Sequence, residues 1–302
     1  MPGKRRSNGR KSKITKTQVK SFTTYRFLLT ANSLNMPPRV LILRAPGTNC
    51  DEETAFAFER AGAVAERVHV NRLLESPRLA DDYQILCIPG GFSYGDDVGA
   101  GRILGNQIRH HLADMIHSFR DAGKLILGVC NGFQVLLKSG VLLEENGNGP
   151  AATLAWNASG RFQDRWVELG TTARDGDRAC VFLAGIERMY LPIAHAEGKF
   201  VTRDRATLDR LNENGQFVLR YRRADAPLGE ELQSVVPFPA NPNGAEANVA
   251  GVCDTTGRVL GLMPHPERHI DPTHHPRWTR RTTQPEAGDG LKLFQNAVGY
   301  FL

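Results

Sequence analysis

The sequence predicts an α/β protein with a doubly wound, mostly parallel sheet and helices on both faces. Short apolar runs at residues 40–43 and 85–88 indicate strands, and they are continuous rather than alternating. Continuous runs are typical of parallel strands that are covered on both faces. Amphipathic stretches separate these runs, and the longest spans residues 102–122. Strands that are separated by helices predict crossover connections and a parallel sheet.

The predicted elements interleave strands and helices along the first hundred residues of the folded sequence. In chain order they are strand 40–43, helix 52–62, strand 64–70, strand 85–88, helix 102–122, strand 125–127 and helix 133–138. A last helix is predicted over residues 291–301. With 302 residues and 41% hydrophobic content, the chain can bury a full-sized core.

Residues 150–262 have a different character, because β-branched and turn residues become more frequent there. The turn signals lie at residues 147–149, 212–215, 241–244 and 254–257. The last of them, Asp254-Thr-Thr-Gly257, predicts a hairpin between residues 249–253 and 259–263. We therefore expect an added β-rich segment in the C-terminal half of the chain.

A basic extension over residues 1–35 precedes the predicted folded domain over residues 36–302. The extension holds nine of the 38 Lys and Arg and none of the 32 Asp and Glu, so the remainder has 29 basic against 32 acidic residues, a net charge of −3. We expect the extension to be disordered, or not translated if synthesis starts at Met36. A basic arm for nucleic acid or anionic lipid, and an organellar transit peptide, are the alternatives.

The composition argues against several classes of protein. No apolar run approaches the roughly 20 residues that span a membrane, and the mildly acidic domain gives no reason to expect nucleic-acid binding. Five cysteines without CxxC spacing do not suggest a disulfide framework, which favours a reducing, cytoplasmic location. Cys87, Cys180 and Cys253 are predicted core residues, and Cys50 lies near a helix start.

Cys130 directly follows a predicted strand, in the sequence Gly128-Val-Cys-Asn-Gly-Phe-Gln134. A buried strand that leads into a nucleophile and then a helix is the pattern of a nucleophile elbow. The N-terminus of that helix would favour the thiolate form of Cys130. By itself such a cysteine is more often a buried structural thiol, and the functional interpretation depends on a partner base elsewhere in the chain.

His265 and Glu267 are the candidate partners of Cys130, in the sequence Met263-Pro-His-Pro-Glu-Arg268. The two prolines are expected to keep the backbone extended, so that side chains two residues apart lie on the same side. Glu267 could then accept the imidazole N–H and orient His265 as the base for Cys130. The alternative is an ordinary proline-bracketed turn with a solvated Glu267.

Two adjacent glycines, Gly90 and Gly91, end the strand predicted over residues 85–88. They let the backbone turn sharply and direct N–H groups toward a negative charge. We expect an oxyanion hole formed by the backbone N–H of Gly91 or Phe92 together with that of Asn131. An ordinary strand-to-helix turn is the alternative, and the spacing does not match a phosphate-binding loop.

His195 lies in a second His-x-Glu segment, His195-Ala-Glu197. It could be a second catalytic histidine or a packed, hydrogen-bonded one, and we assign the catalytic role to His265. Four histidines gather near the end of the chain, namely His265, His269, His274 and His275. No cysteine or second spaced pair accompanies them, so no metal site is predicted.

Taken together, these motifs resemble those of class I (triad) glutamine amidotransferases, over residues 39–302. Within that family, the Gly-Val-Cys-Asn-Gly-Phe-Gln segment and Pro89-Gly-Gly-Phe-Ser-Tyr-Gly-Asp96 resemble the glutaminase subunits of phosphoribosylformylglycinamidine synthase. The resemblance implies a flavodoxin-like sheet, extended by the β-rich segment.

The resemblance also implies roles for individual residues. Cys130 would be the nucleophile, His265 the base and Glu267 the residue that orients the base. Gln134 would contact bound glutamine, and His195 is a further candidate for glutamine binding.

A protein of this family would hydrolyse glutamine to glutamate and ammonia through a cysteine thioester. The ammonia would pass to a large synthetase subunit that converts formylglycinamide ribonucleotide to formylglycinamidine ribonucleotide with ATP. No cofactor is expected in this chain, ATP and Mg²⁺ are expected in that partner, and a small accessory subunit is expected as well. The alternatives are an amidotransferase of another pathway and a non-catalytic subunit that senses glutamine or binds partners.

Overall fold

The computed structural model describes residues 36–143, 149–172, 179–232, 234–283 and 285–302. The basic extension over residues 1–35 lies outside the described residues, and so does most of the turn predicted over residues 147–149. None of the described helices is long and apolar enough to cross a membrane.

The strands are β1 Arg39–Arg44, β2 Val64–His69, β3 Ile85–Ile88, β4 Leu125–Val129, β5 Ala152–Ala155, β6 Gln163–Thr171, β7 Arg188–His195, β8 Lys199–Thr202, β9 Phe217–Arg222, β10 Val249–Cys253 and β11 Val259–Leu262. The α-helices are α1 Asp51–Arg60, α2 Val70–Glu75, α3 Arg102–Gln107, α4 Ala113–Asp121, α5 Asn131–Ser139, α6 Arg205–Glu213 and α7 Leu291–Gly299. A π-helical segment, Ile108–Leu112, joins α3 to α4, so the predicted helix over residues 102–122 is continuous but locally widened.

Nine of the described strands form one sheet, in the order β2-β1-β3-β4-β11-β10-β9-β6-β7. The neighbours from β2 to β11 pair in parallel, which confirms the predicted parallel sheet. From β11 to β7 the neighbours pair antiparallel, so the β-rich segment extends the same sheet. Strands β5 and β8 form a separate two-stranded sheet.

Helices cover both faces of the parallel half. From β1 the chain crosses to β2 on one side, whereas β3, β4 and β11 follow on the other side. Right-handed crossovers therefore place α1 on one face and the helix between β3 and β4 on the opposite face. On the first face α1 packs against α7, with Phe58 and Phe294 edge to face at 4.9 Å between ring centroids. Strand β4 lies between the two layers, and all five of its residues are buried.

The antiparallel half is fully buried in β9, β10 and β11, whereas its outermost strands, β6 and β7, have one apolar and one polar face. The predicted hairpin is present, because Gly251, Val252 and Cys253 of β10 pair with Leu262, Gly261 and Leu260 of β11. In β7, every second residue from Met189 to His195 is buried, as expected for a strand with one face in the core. The outward face of β6 and β7 is lined by aromatic and charged side chains.

The carboxyl edge of the parallel strands gathers the segments that the sequence singles out. Gly90 and Gly91 follow β3, Cys130 follows β4, and His265 lies just beyond β11. Ligands of open α/β sheets bind at this edge because the loops there converge. The topology therefore brings together segments that are more than 130 positions apart in the sequence.

The close approach of α5 to β3 gives a testable prediction. A Cβ on Gly132 would lie 1.8 Å from the Ile88 carbonyl oxygen, whereas a Cβ on Gly299, at the end of α7, would meet nothing within 4 Å. We expect Gly132→Ala to lower the free energy of unfolding by roughly 3 kcal/mol, near the upper end for overpacked cores. Urea denaturation measures this change. Gly299→Ala is the matched control. It should leave the free energy of unfolding unchanged or raise it slightly, since alanine favours helix. Equal effects of the two substitutions would contradict the packing argument.

Candidate active site

Cys130 lies on the elbow between β4 and α5 in a conformation that is rare for a non-glycine residue. Its φ is 51° and its ψ is −103°. The turn requires two glycines. A Cβ on Gly128 would lie 2.7 Å from the Gly132 carbonyl oxygen, and a Cβ on Gly132 would lie 1.8 Å from the Ile88 carbonyl oxygen. The Gly-x-Cys-x-Gly pattern of the sequence therefore reflects the space that the elbow requires.

The backbone around Cys130 is firmly held. Its N–H donates to the Leu262 carbonyl oxygen at 2.7 Å, and its own carbonyl oxygen accepts from the N–H groups of Phe133 and Gln134 at 3.0 and 3.1 Å. The side chain is buried, and its Sγ lies 3.8 Å from the Ala194 carbonyl oxygen. The thiol thus projects from the N-terminus of α5, the positive end of the helix dipole.

Glu267 holds His265 through a short hydrogen bond, with 2.6 Å between the imidazole Nδ1 and the carboxylate Oε1. Both side chains are almost fully buried. The reason for the contact differs from the sequence expectation, because Pro266–Arg268 form a 3₁₀ turn rather than an extended segment. The turn, and not strand alternation, brings the carboxylate to Nδ1.

The electrostatics of His265 favour the imidazolium form. Burial works against this charge, but the Glu267 carboxylate and the Cys130 sulfur outweigh it and raise the pKa of His265 well above its ordinary value. The Nε2 atom has no hydrogen bond of regular geometry among the described residues, but the sulfurs of Cys130 and Cys50 are near enough to this imidazole to help raise its pKa. Contacts of irregular geometry between a thiol and its base are common in ligand-free active sites.

Cys50 is a neighbour of His265 that the sequence did not reveal. Its Sγ accepts a hydrogen bond from Nη2 of Arg268 at 3.1 Å and also interacts with the imidazole. Burial raises the pKa of the Cys50 thiol, although His265 and Arg268 partly offset this effect. Gly90 makes the contact possible, because a Cβ there would lie 2.8 Å from His265 Cε1 and 3.0 Å from Cys50 Sγ. The remaining cysteines, Cys87, Cys180 and Cys253, are buried and free, as predicted.

Cys50, His265 and Glu267 could in principle offer ligand atoms to a metal ion, since these atoms lie within 4.8 Å of one another. The geometry does not favour a metal, because Glu267 is already bonded to His265. The Arg268 guanidinium also donates to the Cys50 sulfur, which places a positive charge beside the would-be site. The predicted absence of a metal site stays a prediction.

His195 is a packed and hydrogen-bonded histidine at the end of β7. Its Nδ1 lies 3.1 Å from Asn157 Oδ1, and its carbonyl oxygen accepts from Asn157 Nδ2 at 2.9 Å. Burial, and then the charge of His265, lower the pKa of His195 to about 3. Gly198 is required here because a Cβ would lie 2.1 Å from the imidazole. A neutral imidazole of such low basicity is poorly suited to be the general base.

The candidate oxyanion donors separate into two groups. The Phe92 N–H donates to the Gly47 carbonyl oxygen at 2.9 Å and is therefore already engaged. The N–H groups of Gly91 and Asn131 have no backbone acceptor among the described residues. Gly91, at φ 141°, also packs tightly, since a Cβ there would lie 2.8 Å from the Asn49 nitrogen. The structure therefore favours Gly91 over Phe92 as a donor.

A pocket of about 220 Å³ opens beside Cys130. It is lined by Gly91, Phe92, Asp96, Ala100, Cys130, Gln134, Trp156, Ala194, His195, Ala196 and Glu197. The volume lies below the usual range for drug-sized ligands and suits a small polar substrate. Both Cys130 and the Gly91 backbone thus face the same small cavity.

Polar side chains in and around this pocket are held by hydrogen bonds to one another and to the backbone. Gln134 accepts from Asn131 Nδ2 at 2.9 Å and donates to the Glu197 carbonyl oxygen at 2.6 Å. Asp96 accepts from Asn131 Nδ2 at 3.3 Å, and burial raises the pKa of Asp96. The Glu197 carboxylate lies 3.7 Å from Lys138 Nζ. Two carboxylates beside one lysine favour a ligand with a positively charged group.

The chain that leaves the Glu267 turn returns to the same turn just before α7. The Gly290 N–H donates to the His269 carbonyl oxygen at 2.8 Å. A Cβ on Gly288 would lie 2.3 Å from that oxygen, and a Cβ on Gly290 would lie 2.0 Å from the Pro266 carbonyl oxygen. These contacts leave no room for side chains at the two glycines.

Comparison with known proteins identifies the family. The model of the CobB/CobQ-like glutamine amidotransferase domain matches residues 37–301. A phosphoribosylformylglycinamidine synthase subunit PurQ from Dehalococcoides mccartyi is 46% identical over 260 residues, which are 86% of this chain and 96% of that protein. The chain belongs to the PurQ family of glutamine amidotransferases.

Other members of the PurQ family and one solved structure agree with this assignment. The PurQ subunit from Methanococcus maripaludis is 40% identical over 280 residues, 89% of this chain and 99% of that protein. A chain in the structure of PurLQS from Thermotoga maritima has a TM-score of 0.63 and 32% identity, and covers 88% of this chain and 100% of that chain. The family and the fold expected from the sequence are confirmed.

The contact between Glu267 and His265 gives a prediction for the pH dependence of stability. Because the folded state raises the pKa of His265, protonation of this residue stabilises the fold below the unfolded pKa of about 6.5. This contribution is lost as pH rises through the folded-state pKa. We expect Glu267→Gln to lower the free energy of unfolding most near pH 6 and progressively less toward pH 9.

Urea denaturation across this pH range measures the effect. Glu59→Gln is the matched control, because Glu59 is exposed and has no ion pair among the described residues. A Glu267→Gln penalty that does not change with pH would show that Glu267 does not control the charge of His265.

Proposed function

We propose that this chain is the glutaminase subunit of phosphoribosylformylglycinamidine synthase, in the de novo synthesis of purines. It hydrolyses the side-chain amide of glutamine and passes the ammonia to a synthetase partner. That partner uses the ammonia and ATP to convert formylglycinamide ribonucleotide to its amidine. The observation that carries the proposal is the Cys130 thiol on a strained elbow, facing a buried imidazole that Glu267 holds by a 2.6 Å hydrogen bond.

The first half of the reaction forms a thioester. The Cys130 sulfur, as a thiolate, attacks the side-chain carbonyl carbon of glutamine, and the carbonyl electrons move onto oxygen. The N–H groups of Gly91 and Asn131 donate to this oxyanion. His265, as an imidazolium, gives its proton to the amide nitrogen, the C–N bond breaks, and ammonia leaves.

The second half hydrolyses the thioester. Neutral His265 takes a proton from water as the water oxygen attacks the γ-glutamyl carbon, and the C–S bond then breaks to release glutamate. The departing sulfur again forms a thiolate beside the imidazolium. Glu267 keeps the imidazole in one orientation and stabilises its charge throughout.

The walls of the pocket match the two ends of glutamine. The carboxylates of Asp96 and Glu197 lie where they can attract the α-ammonium group, while Gln134 contributes an amide held in place by Asn131. The Nε2 of His195 is buried in the same region, has no hydrogen-bond partner among the described residues, and can bond to the substrate. In this proposal His195 contributes to glutamine binding rather than to proton transfer.

The partner is a large synthetase subunit, with a small accessory subunit. The support comes from relatives that are named phosphoribosylformylglycinamidine synthase subunits and from the structure of PurLQS. No cofactor is assigned to this chain, and ATP and Mg²⁺ belong to the synthetase. Five free cysteines suit a reducing compartment, and we propose that the complex works in the cytoplasm.

The decisive experiment compares glutamine with free ammonia as the nitrogen source. Cys130→Ser in the complete complex should abolish the glutamine-dependent reaction, while the ammonia-dependent reaction continues near the wild-type rate, because the synthetase does not need the thiol. Amidine formation measures both. Cys50→Ser is the matched control, since Cys50 is a second buried thiol beside His265, and it should keep glutamine-dependent activity within about tenfold.

The proposal is wrong if Cys130→Ser retains glutamine use, or if it loses the reactions with both nitrogen sources equally. Loss of glutamine use in Cys50→Ser to the same extent as in Cys130→Ser would instead place the nucleophile at Cys50.

The two histidines should respond differently to replacement by alanine. His265→Ala should lower kcat for glutamine hydrolysis by a factor of roughly 10³ or more, because it removes the group that moves the proton. His195→Ala should mainly raise KM, since it removes a contact to the substrate. Steady-state glutaminase kinetics in the assembled complex separate these effects, and a larger fall in kcat for His195→Ala would reverse the assignment.

A further inference from the structure

A second cavity lies on the outward face of the antiparallel half of the sheet, away from the glutamine pocket. Its volume is about 1150 Å³, and its floor is formed by residues of β6, β7 and β9. One side is formed by residues 275, 277, 280–283 and 285, which belong to the segment between Glu267 and α7. None of these residues takes part in the proposed chemistry of Cys130. We call this cavity the arginine groove.

The strand register explains why polar side chains meet on this face. Glu168 of β6 lies opposite Tyr190 of β7 and Arg222 of β9. Directly paired residues of antiparallel strands point to the same face, and so do residues two positions away. Trp166 and Arg188 therefore share this face with Tyr190, while their neighbours along the strands enter the core.

The arginine groove carries an unbalanced positive charge. Five arginines of this face and of the neighbouring segment line it, namely Arg188, Arg222, Arg277, Arg280 and Arg281. Arg222 forms an ion pair with Glu231 at 3.9 Å, and the Glu168 carboxylate lies near Arg222 and Arg188. Arg277, Arg280 and Arg281 have no ion pair among the described residues. Only Glu168 and Asp289 contribute acidic groups to the lining, and Asp289 already accepts from the Tyr190 N–H at 2.8 Å.

This concentration of positive charge contrasts with the folded domain as a whole, whose net charge is −3. Guanidinium groups gathered around one concave surface repel one another unless an anion lies between them. Arginine binds phosphate through paired, charge-assisted hydrogen bonds.

The same groove has an aromatic floor. The rings of Trp166 and Tyr190 lie 5.2 Å apart, and His275 lies 5.9 Å from Trp166 and 5.4 Å from Tyr190. Burial, and then the nearby Arg281, lower the pKa of His275, so this ring stays neutral at physiological pH and adds no charge to the floor. A half-buried aromatic surface beside a set of arginines can stack a planar base while the arginines bind its phosphates.

We propose that the arginine groove is a binding site for a nucleoside di- or triphosphate. The phosphates lie among Arg277, Arg280 and Arg281, and the base stacks on the surface formed by Trp166 and Tyr190. The concave shape favours a small ligand over a flat protein surface. The proposal does not depend on the glutaminase reaction, because it concerns binding to this chain by itself.

Calorimetric titration of the full chain with ADP, ATP and inorganic pyrophosphate tests the site, without the synthetase subunit. The double variant Arg277→Ala/Arg281→Ala should weaken binding of all three at least about tenfold, as expected for lost charge-assisted bonds. Both arginines are at least partly exposed, so the variant should fold. Arg78→Ala is the matched control because Arg78 is exposed and remote, and it should bind as the wild type does.

A second variant separates the base from the phosphates. Trp166→Leu should weaken ADP about tenfold, the scale of one lost stacking contact, and leave pyrophosphate binding unchanged. The proposal fails if ADP and ATP do not bind below roughly 1 mM, or if the double arginine variant binds them normally. It also fails if ADP binds no tighter than pyrophosphate, or if the double variant instead loses only assembly with the synthetase, which would make the groove a protein interface.

Discussion

The left-handed backbone of Cys130 is the constraint on which the rest of the active site depends. A non-glycine residue in such a conformation costs on the order of 1–3 kcal/mol and persists only where its surroundings hold it. Here the N–H of Cys130 is bonded to β11, its carbonyl begins α5, and Gly132 lets the helix touch the Ile88 carbonyl. The contacts that impose the strain also fix the position of the thiol relative to the end of β11. His265 lies three residues beyond that end.

Two buried histidines near one thiol are kept in opposite protonation states by their neighbours. His265 has a carboxylate on one side and a sulfur on the other, which together overcome burial and raise its pKa. The His195 imidazole is bonded to the neutral amide of Asn157 and has no carboxylate partner among the described residues, so burial, and then the charge of His265, lower its pKa. The charge of His265 therefore adds to burial in keeping His195 neutral.

Local sequence patterns predicted the parts of the site that depend on neighbouring residues. The elbow at Cys130, the pairing of His265 with Glu267 and the parallel strands that deliver them could all be inferred from short motifs. The reason given for the His265 contact was wrong, because proline-flanked residues can form a 3₁₀ turn as readily as an extended segment, and the sequence does not distinguish the two.

The remaining parts depend on contacts between distant segments, which no local pattern encodes. Arg268 and Cys50 are 218 positions apart, and Asn157 and His195 are 38 positions apart. The Phe92 N–H was an expected donor, but the loop after β1 folds back and takes this hydrogen bond through Gly47. One signal was available for His195, namely Gly198, whose missing side chain leaves the space that the imidazole occupies.

The two glycines that fix the segment after Glu267 have a consequence for how this protein can be altered. The Gly290 N–H is bonded to the His269 carbonyl oxygen, and neither Gly288 nor Gly290 has room for a side chain, so the base of the segment is fixed beside the turn that carries Glu267. Substitutions at these two glycines are therefore expected to displace Glu267, although neither glycine touches the thiol. The tolerance of this segment to sequence change is lowest at its base, where it has no side chains.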